Sequence, residues 1–112
     1  MTAKQIFNRL RKKALTYPGA VEDHPWGETA IKVNGKVFVF LGEEGASFKL
    51  PNSRDMAHDL PFAEPTRYGL GKHGWVSAHF TRKSKPSISL LEAWLDESYR
   101  AVAPKKMVER LG

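Results

Sequence analysis

The stretch "TAIKVNGKVFVFL", residues 29–41, restricts the possible folds more than any other in the chain. Asn34-Gly35 sits between two runs in which apolar residues alternate. A two-residue type I′ hairpin turn needs positive φ at both central positions, and Asn followed by Gly tolerates that best. The dipeptide therefore predicts two paired strands, Thr29–Val33 and Lys36–Leu41, joined at 34–35. Period 2 places Val37, Val39 and Leu41 on one face of the second strand and Phe38 and Phe40 on the other. Both faces are apolar at the sheet centre. One layer of helices is expected to cover one face and to leave the other partly open.

The flanking pattern supplies those helices. Thr2 with Gln5 three residues later fits a capping box, and Ala3, Ile6, Phe7, Leu10, Ala14 and Tyr17 fall on one helical face. "YPGA" ends that helix, because Pro18 disfavours the helical region for Tyr17. After the hairpin, "GEEG" turns into a third strand, Ala46–Leu50, with Lys32 and Lys49 on the polar side of their own alternations. "NSRDMAHDL" predicts a two-turn helix. A strand near Thr66–Tyr68, a glycine loop and a strand over Trp75–Phe80 follow. In the last of these Trp75, Ser77 and His79 share one face and Val76, Ala78 and Phe80 the other. Ser89 with Glu92 predicts a second capping box, opening a helix whose apolar face holds Ile88, Leu91, Trp94, Leu95, Tyr99 and Val102. Ser98 falls in the middle of that stripe, where a small side chain permits close approach to the sheet. "KKMVERLG" suffices for one or two further helical turns. The whole predicts a single domain over residues 1–112: a two-layer α+β fold of order α-β-β-β-α-β-β-α, with about five antiparallel strands.

Charge narrows the range of functions. The net charge is +6, and it is segregated. Residues 1–21 hold Lys4, Arg9, Arg11, Lys12 and Lys13 without an acid, and residues 65–91 hold Arg67, Lys72, Arg82, Lys83 and Lys85 without an acid. All 12 acids lie elsewhere. Blocks of one sign on a body of the other attract polyanions, although the same charges also serve solubility. The absence of cysteine removes disulfides, thiolate metal sites and thiol nucleophiles. No apolar run approaches the ~18 residues of a membrane span. The basic, amphipathic N-terminus is compatible with an organelle transit peptide but lacks a secretory apolar block. The expected setting is cytoplasmic, with no membrane association.

The motifs exclude more chemistry than they supply. His24, His58, His73 and His79 have no ligand partner at helical spacing, so no metal is expected. "GLGKHG" leads into a strand, whereas nucleotide-phosphate loops and dinucleotide fingerprints open a helix. No serine sits in a nucleophile elbow, and Glu22 and Asp23 beside "HPWG" have no evident partner. No catalytic residue and no cofactor are expected, and the chain reads as a non-enzyme.

"PGAVEDHPWGETAIKVNGKVFVFL", "SFKLP", "YGLGKHGWVS" and "ESYRAVAPKK", in this order and spacing, resemble the MmcQ/YjbR family. The resemblance runs from about Leu10 to Lys106, and its most specific marks include Pro25-Trp26-Gly27, Lys72-His73-Gly74-Trp75-Val76 and Ser98-Tyr99. It implies a twisted antiparallel sheet with packed helices. It also implies a "double wing" arrangement of hairpins associated with DNA binding, and a fold-level kinship with small secretion-chaperone-like domains. The long basic "TRKSKPS" loop departs from the family pattern and adds to the positive charge.

Two functions follow as expectations. The first is nucleic-acid binding, DNA foremost, through Lys32, Lys49, Arg67, Lys72, His73, Trp75, Arg82, Lys83 and Lys85. The lysines and arginines would contact phosphate, and the Trp75 ring would stack on bases beside a flexible turn. The second is a peptide- or protein-interaction module, chaperone-like, with charge serving solubility. A third reading, ranked behind these two, is an enzyme or small-ligand binder around His24–Trp26 and His73–Trp75. The sequence leaves the oligomeric state open. The feature that separates the readings is whether the 65–91 block forms one surface with Lys32 and Lys49.

Overall fold

The hairpin forms as the sequence predicts. Asn34 and Gly35 have φ of 52° and 77°, and Val33 pairs with Lys36 across them. The computed structural model describes residues 1–82 and 86–111. In chain order the elements are α1 (Ala3–Ala14), β1 (Ala20–Asp23), β2 (Thr29–Val33), β3 (Lys36–Leu41), β4 (Gly45–Lys49), α2 (Arg54–His58), β5 (Ala63–Pro65), β6 (Trp75–His79), α3 (Ile88–Val102) and α4 (Lys105–Glu109). Short 3-10 turns lie at Pro25–Gly27 and Gly71–His73. The strands form one antiparallel sheet in the order β1-β2-β3-β4-β6-β5.

One face of this sheet is the core. Val39, Phe48 and Val76 lie in register across β3, β4 and β6 and pack with Leu91, Trp94, Leu95 and Tyr99 of α3. Ile6 and Leu10 of α1, Ala57 of α2 and Met107 of α4 join the same cluster, so all four helices cover one side. Phe38 and Tyr99 meet edge to face with centroids 5.1 Å apart, and Tyr17 stacks on Tyr99 at 4.5 Å. Both phenols are satisfied: Tyr17 donates to Asp96 and Tyr99 to the Pro18 carbonyl. Burial, and donation to Asp96, hold the Tyr17 phenol far above its usual pKa.

The Thr2–Gln5 capping box is present at the start of α1, with both of its hydrogen bonds. Four expectations are corrected. The sheet gains a sixth strand, β1, on its edge. The strand expected near Thr66–Tyr68 lies instead at Ala63–Pro65. Pro65 does not prevent this, because an edge strand bonds on one side only and tolerates a residue without an N–H. The capping serine of α3 is Ser87, whose Oγ accepts from Leu90 N–H; Ser89 lies within the helix and Glu92 bonds Arg9. Finally, a register shift opposite Ile31/Lys32 inserts Phe38 as an extra residue in β3. The bulge turns Phe38 to the core side with Val39, so Phe38 and Phe40 do not share a face.

The hairpin turn gives a direct stability test. Gly35→Val should destabilise the domain by about 1 kcal/mol or more, since a β-branched residue at φ 77° is strained. Denaturant titration reads the loss. An unchanged midpoint would mean that another turn geometry serves equally well.

Candidate nucleic-acid interface

The sheet register sorts the charged residues to its two ends. Val33 and Lys36 flank the Asn34-Gly35 turn, Lys49 pairs with Trp75, and Leu50 N–H bonds Gly74 O. The 34–35 turn, the end of β4 and the Thr66–Gly74 loop therefore lie at one end of the sheet. Residues 29–42, 45–54 and 65–91, which supply these pieces, contain no acid. Lys36, Arg67 and Lys72 are exposed there and Lys49 is half-buried. None of these four takes part in an ion pair among the described residues. Met107 packs over Gly19, just before β1, and so brings α4 with exposed Lys105 and Lys106 to the rim of the same end.

The opposite end carries exposed carboxylates. It carries the Gly42–Gly45 turn with exposed Glu43 and Glu44, and exposed Glu28 precedes β2. Phe80 N–H bonds Glu44 O, which brings the exit of β6 to this end as well. A groove of about 670 Å³ runs along it, lined by Phe40, Leu41, Ser47, Ser77 and His79 together with those three carboxylates.

The expected site residues divide accordingly. Lys49, Arg67, Lys72 and His73 come together at the end that holds the 34–35 turn, with His73 exposed beside Lys72; the Glu97 carboxylate of α3 also reaches this end, where it accepts from Asn52 and Ser53. Lys32 lies on the second face, but its ammonium is 2.7 Å from Asp23 and holds that carboxyl below the usual carboxylate range. Arg82 belongs to the other end and is occupied: it bonds Glu64 at 2.6 Å and the Pro61 carbonyl at 3.1 Å. That bond, foremost, keeps the Glu64 carboxyl below the usual range, and the charges of His79 and Arg67 act in the same direction. His79 Nε2 is 3.3 Å from Glu64 Oε2 but makes no hydrogen bond. Among the described residues Arg82 is thus set apart from Arg67 and Lys72 by its bond to Glu64. Lys83 and Lys85, in the basic "TRKSKPS" loop, lie outside the described residues.

Trp75 corrects the surface expectation. Its ring is 8% exposed and lies 5.3 Å from the Phe40 ring on the face away from the helices. The alternation of Trp75, Ser77 and His79 holds, and Ser77 Oγ bonds both Ser47 Oγ, at 2.8 Å, and Thr66 Oγ1, at 3.0 Å. An exposed aromatic does occur at this end, directly before the first glycine of the turn. Tyr68 is 98% exposed at φ 61°. Sequence reasoning placed it in a strand. The signal available was an aromatic directly before Gly69, in a loop that already held Arg67 and Lys72. Lys36 was also missed, although the hairpin turn alone puts it at this end.

His24 Nε2 is 2.8 Å from Glu22, which also takes Arg11 Nε at 2.5 Å, so the His24 segment lies against a surface ion pair. The side chain of Trp26 lies outside what is described. Among the described residues no group of three or more His, Cys, Asp or Glu side chains is arranged to hold a metal ion. No helix among them is long and apolar enough to cross a membrane.

Comparison with known proteins agrees with this fold. The family model described as YjbR matches residues 15–101, most of the chain, from the end of α1 through nearly all of α3. No curated protein matches the chain.

Proposed function

The chain belongs to the YjbR family, and we propose that it binds nucleic acid, DNA foremost, through the end of its sheet that holds the 34–35 turn and the Thr66–Gly74 loop. One observation carries the reading: among the described residues Lys36, Lys49, Arg67 and Lys72 stand without carboxylate partners at one end, while exposed Glu28, Glu43 and Glu44 stand at the other. Such an arrangement orients the domain toward a polyanion before contact, and unpaired cations displace condensed counterions from phosphates. Membership of the family supports a nucleic-acid-binding role in general. The domain acts here as a binding module without chemistry of its own.

The test is an anisotropy titration against labelled duplex DNA, single-stranded DNA and RNA at several salt concentrations. Affinity should fall steeply with salt. Lys49→Ala and Lys72→Ala should each weaken binding to all sequences alike. Each should also flatten the slope of log K against log salt by about 0.9 on duplex or 0.7 on single strands per lost contact. Arg82→Ala should leave the slope unchanged, because Glu64 already holds that guanidinium. Wild-type protein that binds no nucleic acid at low salt sinks the reading.

A peptide or protein partner is the second reading, and the groove at the opposite end favours it. Its apolar wall and three exposed carboxylates suit a cationic segment and repel phosphate. Loss of binding in the titration, with a cationic peptide retained by wild-type protein and lost on Glu43→Lys, would move the assignment there.

A further inference from the structure

We propose that Tyr68 is a stacking platform for an unpaired base, which makes single-stranded nucleic acid the preferred ligand of this end of the domain. The inference rests on the nucleic-acid reading above and names its ligand more closely.

Folding does not account for this tyrosine. At 98% exposure its ring adds nothing to the core. At φ 61° it occupies the left-handed region, where Gly or Asn would sit with less strain. The loop around it is nevertheless well fastened. Thr66 N–H bonds Trp75 O at 3.1 Å, Gly71 N–H bonds Thr66 O at 2.9 Å, and His73 N–H bonds Leu70 O at 2.9 Å. The backbone is pinned on both sides of Tyr68 and its side chain is held out in water. The loop itself needs no further ordering for the ring to meet a flat partner.

The neighbours define that partner. Arg67 precedes the ring and the Lys72 side chain reaches back over the loop, its Cε 3.7 Å from the position a Cβ on Gly69 would take. Gly69 itself has no side chain to cover the ring. Cations beside an uncovered aromatic face fit one nucleotide: phosphate to the ammonium and guanidinium, base to the phenol ring. A base within a duplex is already stacked and offers no free face to such a ring. Trp75, by contrast, is covered by Phe40 and cannot serve.

The experiment compares labelled oligo-dT with a duplex of equal length, using wild-type protein, Tyr68→Ala and Tyr68→Trp. Wild-type protein should prefer the single strand. Tyr68→Ala should weaken single-strand binding roughly 5- to 150-fold, the range that loss of one stacked base gives. Its salt slope, duplex affinity and thermal midpoint should stay unchanged, since the ring carries neither charge nor core packing. Tyr68→Trp should bind the single strand at least as well as wild type. Wild-type binding that Tyr68→Ala leaves intact, or that it lowers equally on single strand and duplex, overturns the proposal while leaving the nucleic-acid reading standing. Wild-type protein that binds neither oligonucleotide overturns both.

Discussion

Trp75→Ala is expected to destabilise the domain by about 3–5 kcal/mol while leaving the remaining folded protein able to bind. The ring is 8% exposed and packs on Phe40, and its neighbours in β4 and β6 are fixed by the ladder, so they cannot collapse into the space it leaves. A loss of this size is a large part of the total stability of a domain of 112 residues. Urea melts read it directly, and binding measured well below the melting midpoint isolates any second effect. A variant that melts like wild type but loses single-strand affinity would return Trp75 to the surface and displace Tyr68 from the stacking role.

The contrast between these two aromatics shows what the chain made legible. Alternation correctly grouped Trp75 with Ser77 and His79, away from the helices. Exposure does not follow from facing away from helices, because a cross-strand neighbour can cover a ring as well as a helix can. Phe40 lies one strand beyond the pairing partner of Trp75, and only the assembled sheet brings the two within 5.3 Å. Tyr68 was obscured for the converse reason. Its residue type suits a strand, whereas its position is set by Gly69 and by loop hydrogen bonds to β6.

Elements specified by local chemistry were readable, and those specified by partners were not. The Asn34-Gly35 turn and the Thr2–Gln5 box are closed within four residues, so their sequences suffice. The strand "AVED" has two acids and one exposed valine, and it forms because β2 offers it a ladder. The β3 bulge likewise leaves no trace in the alternation of "KVFVFL". For the interface, the cationic block at 65–91 was visible as composition. The separation of Arg82 from Arg67 and Lys72 was not, since β6 carries the chain from one end of the sheet to the other and Glu64 takes up Arg82 on the way.

Ser98→Ala should cost about 2–6 kcal/mol, more than removal of a single hydroxyl suggests. Ser98 is fully buried on the apolar stripe of α3, where its small size was the evident reason for its presence. The structure gives it a second task. The β3–β4 ladder stops at Val39 and Phe48, because the bulge at Phe38 displaces the next pair. The Lys49 N–H and the Phe38 carbonyl, which would otherwise bond each other, are both taken by Ser98 Oγ: it accepts from Lys49 at 2.7 Å and donates to Phe38. A helix hydroxyl is thus inserted into the sheet where the sheet opens. Alanine leaves a buried donor and a buried acceptor unmet, at about 1–3 kcal/mol each. Because Lys49 is a proposed phosphate contact, the same change should speed amide exchange at Lys49 and lower nucleic-acid affinity modestly without altering the number of charges. Ser98→Thr keeps the hydroxyl but adds a methyl group to a filled site, so it should retain slow exchange at Lys49 while still losing stability to overpacking. An alanine variant with wild-type melting and unchanged exchange at Lys49 would mean that the strands close on each other without the serine, and the strut would have no energetic role.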